Sequence, residues 1–335
     1  MKRWPSFVLC ATVLLAVATS ASAQQPLRWT SGVVGGGWYA ISTGLAELLR
    51  EKAALDVKVL PGGGAQTPVL VGKGYVEIGL GLPPLLGAAA RGDDPYRGRR
   101  LETLRGLAGN LSLNVFHIYV ASDSPFAKMT LEEIFRGRKP IRLAIPRPGT
   151  SDVWLLEKMM EFFGLCEPGK IVECYRSWET AGAKFVRGSY VELADAFKER
   201  RVDGAFAVLA TPADVVTSAS QHRPLTLLSC PQPLLEHLAS FGLSAGVIPA
   251  GTYPKASNAN EDVPTATMGT TIIVSAAMAD DLAYAITSTI NDNIDRLRRL
   301  HASLDDYDPS RGWLHLGVAL HPGAERYYRE KGWLK

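Results

Sequence analysis

Cysteine is scarce in this chain: four in 335 residues, one of them (Cys10) inside an N-terminal apolar run. The other three, Cys166, Cys174 and Cys230, are odd in number, so disulfides are not the framework of the fold. Cys166 and Cys174 flank the Glu167–Glu173 turn, and the spacing suits either a bridge across it or two free thiols. The six histidines are scattered, and no Cys/His spacing resembles a metal site. Neither sign of charge dominates, with 36 basic against 33 acidic residues, so nothing draws the chain to nucleic acid. After the N-terminal run, no apolar stretch reaches the ~20 residues of a membrane span.

The N-terminus itself reads as an export signal. Lys2 and Arg3 give a basic start, Phe7 to Val17 is apolar, and Ala21-Ser22-Ala23 is a small-x-small cleavage site. Leu9 is too bulky to precede a lipoprotein cysteine at Cys10. Cleavage near Ala23 leaves a soluble, periplasmic chain beginning at Gln24, long enough for two lobes of ~150 residues each.

The mature chain opens with an apolar run, Leu27 to Thr30, and a glycine turn, Gly35-Gly36-Gly37. An amphipathic helix follows, with Ile41, Leu45, Leu48 and Leu49 on one face. Next come a strand at Val57 to Leu60, the turn Pro61-Gly62-Gly63-Gly64, a helix at Gln66 to Val71, and a strand at Val76 to Leu82 stopped by Pro83-Pro84. This β-α-β-α-β order predicts a parallel sheet covered by helices. Val115 to Ala121 is a further strand and Leu131 to Phe135 a helix. A second α/β run then starts: strand Ile141 to Ile145, turn 146–152, helix Val153 to Phe163, strand Ile171 to Tyr175, helix Tyr190 to Glu199 and strand Gly204 to Val208. Ala277 to Leu300 carries Leu282, Ile286, Ile290, Ile294 and Leu297 at helical spacing, predicting one long helix.

The pattern predicts an α/β, two-lobed binding-protein fold, its two parallel or mixed sheets joined by crossing strands around a cleft. The expected division is 1–23 signal, 24–120 with 229–335 as the first lobe, and 121–228 as the second.

Three motifs mislead. Gly35-x-Gly37-x-x-Ala40 matches a relaxed dinucleotide fingerprint, but the acid it needs after the second strand is missing; Asp56 lies before that strand. Gly242-Leu243-Ser244-Ala245-Gly246 fits the nucleophile-elbow pattern, yet Pro249, Gly251 and Pro254 forbid the helix that must follow. His315 and His321 near Asp305, Asp306 and Asp308 fall in a Gly/Pro-punctuated tail, read as solvated.

What survives is a set of turns between strands and helices that aim N–H groups into a cleft. Gly36 and Gly37, with Gly62, Gly63 and Gly64, serve from one lobe, and Arg147, Thr150 and Ser151 from the other. Arg147 can fork to a carboxylate. Tyr39, Tyr175 and Tyr253 are placed at similar strand ends as hydroxyl donors and flat walls. A ligand with one or two carboxylates complements this set, with no cofactor, no metal and no catalytic residue.

The carboxyl-terminal run His321-Pro322-Gly323-Ala324-Glu325-Arg326-Tyr327-Tyr328-Arg329-Glu330-Lys331-Gly332-Trp333 is the most specific piece of a wider resemblance. Gly36-Gly37-Trp38-Tyr39, Asp203-Gly204-Ala205-Phe206, Ile248-Pro249-Ala250-Gly251-Thr252-Tyr253-Pro254 and Glu261-Asp262-Val263-Pro264-Thr265 extend it over the mature chain. The sequence resembles the extracytoplasmic solute receptors of TAXI-type TRAP transporters, the immunogenic-protein family. That resemblance implies a monomeric periplasmic binding protein that closes on a glutamate-like acid, a dicarboxylate or a 2-oxo acid and passes it to TRAP membrane subunits. It also brings Phe206 and Asn114 to the site. The family usually has Gly-Gly-Ser-x-x-Asn where this chain has Gly62-Gly63-Gly64-Ala65-Gln66-Thr67. It has Gly-Ser-Gly-Thr in place of Gly149-Thr150-Ser151-Asp152, Gln-Ser-Asp in place of Gly81-Leu82-Pro83, and a crossing Glu in place of Asn114. Losing Ser and Asp from the first lobe favours a ligand with a less polar far end. The alternatives are a periplasmic ligand-sensing subunit and, remotely, an exported hydrolase using Ser244.

Overall fold

A computed structural model describes residues 25–335; the expected export signal, residues 1–23, and the expected cleavage site lie outside the described residues. Twelve strands run in chain order: β1 Leu27–Thr30, β2 Val57–Leu60, β3 Ile78–Gly81, β4 Leu104–Ala108, β5 Leu113–Ala121, β6 Arg142–Pro146, β7 Lys184–Gly188, β8 Gly204–Ala210, β9 Leu225–Leu227, β10 Ser244–Ile248, β11 Val263–Gly269 and β12 Thr271–Ser275. They form two sheets. The first has the order β2-β1-β3-β12-β4; the second has β10-β11-β5-β8-β6-β7, with β9 added to the end of β5. In the first sheet β1 runs parallel to β2 and β3, while β12 is antiparallel to both β3 and β4. In the second, β6 runs parallel to β7 and β8, and β5 is antiparallel to β8 and β11.

Helices cover both sheets, which is why the central strands are continuously apolar. All seven residues of β8 are buried, as is almost all of β5. The helix Gly37–Ala53 buries Trp38, Ile41, Leu45, Leu48 and Leu49 against the first sheet, as its 3.6-residue period requires. In the second lobe two helices start with reciprocal capping boxes, Thr130 with Glu133 and Ser189 with Glu192.

The chain passes between the sheets at 109–112 and again at Thr270. Thr270 is fully buried and its Oγ1 is a hub for both passages. It lies 2.7 Å from Asn114 Nδ2, 2.9 Å from Ser112 Oγ and 3.1 Å from Trp38 Nε1. Sheet membership thus divides the chain at these passages, placing β5, β10 and β11 in the second sheet. The expected division at 120 and 229 would have put those strands in the first lobe.

Other expectations change in detail. Ile171 to Tyr175 belongs to a helix, Ile171–Thr180, because Cys174 and Trp178 are buried four residues apart while Val172 and Glu173 face solvent. Pro83 and Pro84 do not merely end a strand; they occupy the first turn of the helix Pro83–Arg91, where a missing N–H costs nothing. The long terminal helix is two, Asp280–Asn291 and Ile294–Arg298, interrupted at Asp292–Asn293. Ser244 starts strand β10 rather than a strand-to-helix turn. His321 is fully buried at the start of the helix Pro322–Glu330, its Nδ1 accepting from Gly323 N–H, so the tail there is not solvated. Cys166 and Cys174 are bridged, with Cα atoms 4.8 Å apart, and Cys230 is buried and free. Among the described residues no group of acids, histidines and cysteines is placed to hold a metal, and no helix is long and apolar enough to cross a membrane.

Candidate functional site

Two hollows run in series between the sheets. The inner one has about 390 Å³ of free space including its mouth, and is lined by Gly36, Gly37 and Trp38, by Gly63 and Gly64, by Thr150, Ser151 and Asp152, and by Asn114, Tyr190 and Val208. The outer one, about 1180 Å³ with its mouth, shares Gly63 and Thr150 with it and adds Gly62, Gln66, Arg147, Ser189 and Glu192.

The walls follow from the turns. Helix Gly37–Ala53 begins at Gly36 with no side-chain cap and no acid in its first turn, and Gly36, Gly37 and Trp38 line the inner hollow, so the positive end of the helix stands at its wall. Gly36 N–H is taken by Val33 carbonyl oxygen and Tyr39 N–H by that of Gly36. The opposite helix, Ser151–Phe162, is capped by Thr150, whose Oγ1 accepts from Val153 N–H at 3.4 Å.

The two jaws touch. Gln66 N–H donates to Gly149 carbonyl oxygen at 3.0 Å across the cleft. A Cβ on Gly63 would stand 2.8 Å from that same oxygen, and one on Gly64 would stand 3.1 Å from Ser151 Oγ. One on Gly36 would meet the Tyr190 ring at 3.0 Å. A side chain at Gly63 would therefore clash with the facing backbone and one at Gly36 or Gly64 would be crowded, and the lobes are closed on one another.

Asp152 is the unexpected member of the inner wall. It is 1% exposed, and its Oδ1 accepts from Tyr190 O–H at 2.8 Å and from Val208 N–H. Burial pushes its carboxyl up to about 6, while those hydrogen bonds pull it back. Among the described residues no cationic side chain pairs with it; its Oδ2 has Ser151 Oγ at 3.5 Å. In sequence, an acid after Thr-Ser at a helix start reads as ordinary first-turn charge, which conceals it. Tyr190 carries no sequence signal.

The structure gathers Gly36, Gly37, Gly62, Gly63, Gly64, Asn114, Thr150 and Ser151 around the two hollows, with Arg147 at the rim. Arg147 is 70% exposed and lies 3.4 Å from Glu192, so its charge is shared and hydrated. Asn114 spends its amide on Thr270 Oγ1 and Met268 carbonyl oxygen. Tyr39 lines a neighbouring hollow beside Asp214 and His301.

Three expected residues are not brought to the cleft. Tyr175 lies on the helix Ile171–Thr180, its ring against Phe185 and beneath Arg187. Phe206 is buried in the core 4.2 Å from the Phe116 ring. Tyr253 is a buried strut: its hydroxyl accepts from Ala213 N–H and donates to His117 Nε2. His117 Nδ1–H donates in turn to Val115 carbonyl oxygen, and burial pushes that imidazole down to about 4, keeping it neutral.

A second contact links the lobes away from the cleft. Lys158, on the helix Ser151–Phe162, is nearly buried and pairs with Glu161 at 2.9 Å and with Asp94, beyond the first-lobe helix Pro83–Arg91, at 2.8 Å. Glu157 beside it is pushed up to about 7 by burial and by the charge of Asp94.

Residues 30–332 match the family described as NMT1-like. Among solved structures, MatC from Rhodopseudomonas palustris with bound malate has a TM-score of 0.52 at 10% identity, covering 93% of this chain and 98% of that one. The arginine-, lysine-, histidine-binding protein ArtJ from Geobacillus stearothermophilus has a TM-score of 0.48 at 10% identity, covering 86% and 98%. A putative L-cystine ABC transporter from Listeria monocytogenes has a TM-score of 0.47 at 11% identity, covering 85% and 98%. Likeness at such identities is one of fold, and MatC carries it.

Proposed function

The chain belongs to the NMT1-like family, and from that premise we propose that it is the exported solute-binding receptor of an import system. Its ligand is a small organic acid held between the lobes, and its transporter is of the TAXI-type TRAP class that the sequence motifs resemble. The first lobe comprises the first sheet and its helices; the second runs from β5 to β11. One copy of the chain supplies both jaws.

The observation that carries the reading is the closed, glycine-lined contact between the Gly62–Gly64 turn and the Gly149–Asp152 turn. Contacts available only when the lobes meet are what let a ligand drive closure. The uncapped helix start at Gly36 supplies the anion-binding wall. The malate held by a protein of the same fold supports an acid of that size.

A thermal-shift screen of the chain from Gln24 onward, against amino acids, 2-oxo acids and dicarboxylates, tests the reading. A ligand that binds only the folded state raises the melting temperature by mass action. Calorimetry on the hits should give one site per chain. Binding of none of these acids would refute the proposal.

A further inference from the structure

We infer that the flank of the closed jaws carries a second binding site, a basic hollow beside the Gln66–Gly149 contact that takes a phosphate monoester and holds the lobes together.

The hollow has about 860 Å³ of free space including its mouth. Gln66 and Gly149 line both it and the outer hollow of the cleft, so their hydrogen bond is the partition between the two. Its other walls belong to the first lobe: Val69 and Lys73 at the helix Thr67–Gly72, and the strap 92–101 that follows the helix Pro83–Arg91. Three points pin the strap. Tyr96 is 5% exposed within the first-lobe core, Leu101 N–H donates to Ala89 carbonyl oxygen, and Asp94 reaches Lys158 of the second lobe.

Three cations stand round the hollow, Lys73, Arg97 and Arg99, and no acid lines it. The strap's own acids are engaged elsewhere, Asp93 by Arg91 at 2.6 Å and Asp94 by Lys158 at 2.8 Å. Tyr96 also lines the hollow, and its buried hydroxyl has no hydrogen-bond partner, a donor that calls for an acceptor oxygen. A monocarboxylate would leave most of this positive charge uncompensated. A phosphate monoester brings about two negative charges at pH 7 and three acceptor oxygens, which guanidinium forks grip in pairs. Its organic part has an apolar seat on Val69, Leu101 and the Tyr96 ring. Gly149 belongs to the second lobe, and Asp94 is held by it, so the hollow is complete only when the jaws meet. An occupant that prefers the closed form shifts the population toward it.

Calorimetry with glycerol 3-phosphate at constant ionic strength should give one site per chain. The double variant Lys73→Ala with Arg99→Ala removes two exposed cations that line neither hollow of the cleft. It should bind glycerol 3-phosphate about tenfold or more weakly, with its anion-free melting temperature unchanged. Small-angle scattering without any cleft ligand should show the wild type more compact at saturating glycerol 3-phosphate, and the variant unresponsive at the same concentration. No binding, an unchanged affinity in the folded variant, or wild-type dimensions that do not respond to bound glycerol 3-phosphate overturns the inference. Co-sedimentation with phosphatidylglycerol vesicles in place of glycerol 3-phosphate binding also overturns it, since the occupant would then be a singly charged phosphodiester. None of these measurements involves the cleft ligand, so the receptor reading stands or falls separately.

Discussion

Gly63→Ala should separate closure from folding. The backbone at Gly63 is not left-handed, so alanine is admissible there and folding should gain a few tenths of a kcal/mol from the stiffer unfolded chain. The new methyl, however, would stand 2.8 Å from the Gly149 carbonyl oxygen and 3.3 Å from the Thr150 Cα. Both are backbone atoms of the opposite lobe, with no rotamer to yield. Overpacking of this kind costs about 1–3 kcal/mol, and only the closed form bears it. At about 1.4 kcal/mol per tenfold, the dissociation constant should rise roughly 5- to 150-fold. Calorimetry would measure the affinity, thermal unfolding without ligand the stability, and small-angle scattering with saturating ligand the degree of closure. The expected result is weaker binding, an undiminished melting temperature and a bound form more open than the wild type. Unchanged affinity with full closure would refute the argument that these turns must touch for the ligand to be held.

Other expectations follow from the same geometry. Arg147→Ala should weaken binding less than about fivefold, because an exposed charge shared with Glu192 contributes little; a loss of thirtyfold by calorimetry would move the ligand's anchor to the rim. Cys174→Ser, or reduction, opens the short loop closed by Cys166 and should cost about 2–3 kcal/mol, read as a lower denaturation midpoint. Glu157 titrates higher in the folded chain, about 7, than when unfolded. Its ionisation therefore opposes folding; the penalty is absent below the ordinary glutamate range, grows with rising pH and is complete above about 7. Glu157→Gln should thus raise stability by about 1–3 kcal/mol at pH 8 and leave it unchanged at pH 4, and equal effects at both pH values would reject the assignment.

The first lobe was legible because its signals are local. Two strand–glycine–helix units and a third strand follow one another between Leu27 and Gly81, and each apolar face keeps one period. What escaped depended on tertiary context. Ile171-Val172 is a β-branched pair that suggests a strand, but Trp178 and Cys174 decide for a helix by their burial. The strand β4, Leu-Arg-Gly-Leu-Ala, carries an interior glycine that weakens its pattern, and it is held by β12 from far along the chain. At the site, the glycine turns were visible since close approach needs that residue type. Asp152 and Tyr190 were not, because their partnership joins residues 38 apart in sequence and across two turns. Tyr175 and Tyr253 show the converse: a tyrosine near a strand end is equally at home packed in the core.

The pairing of β4 with β12 carries a further meaning. These neighbours are antiparallel, Ala108 opposite Ile272, and everything from β5 to β11 leaves by one and returns by the other. Topologically, the entire second lobe is the loop of a single hairpin in the first. A short turn from Ala108 to Ile272 would close the same hairpin, so in chain order the second jaw is an insertion within the first, and both ends of the insertion meet at one edge of a single sheet.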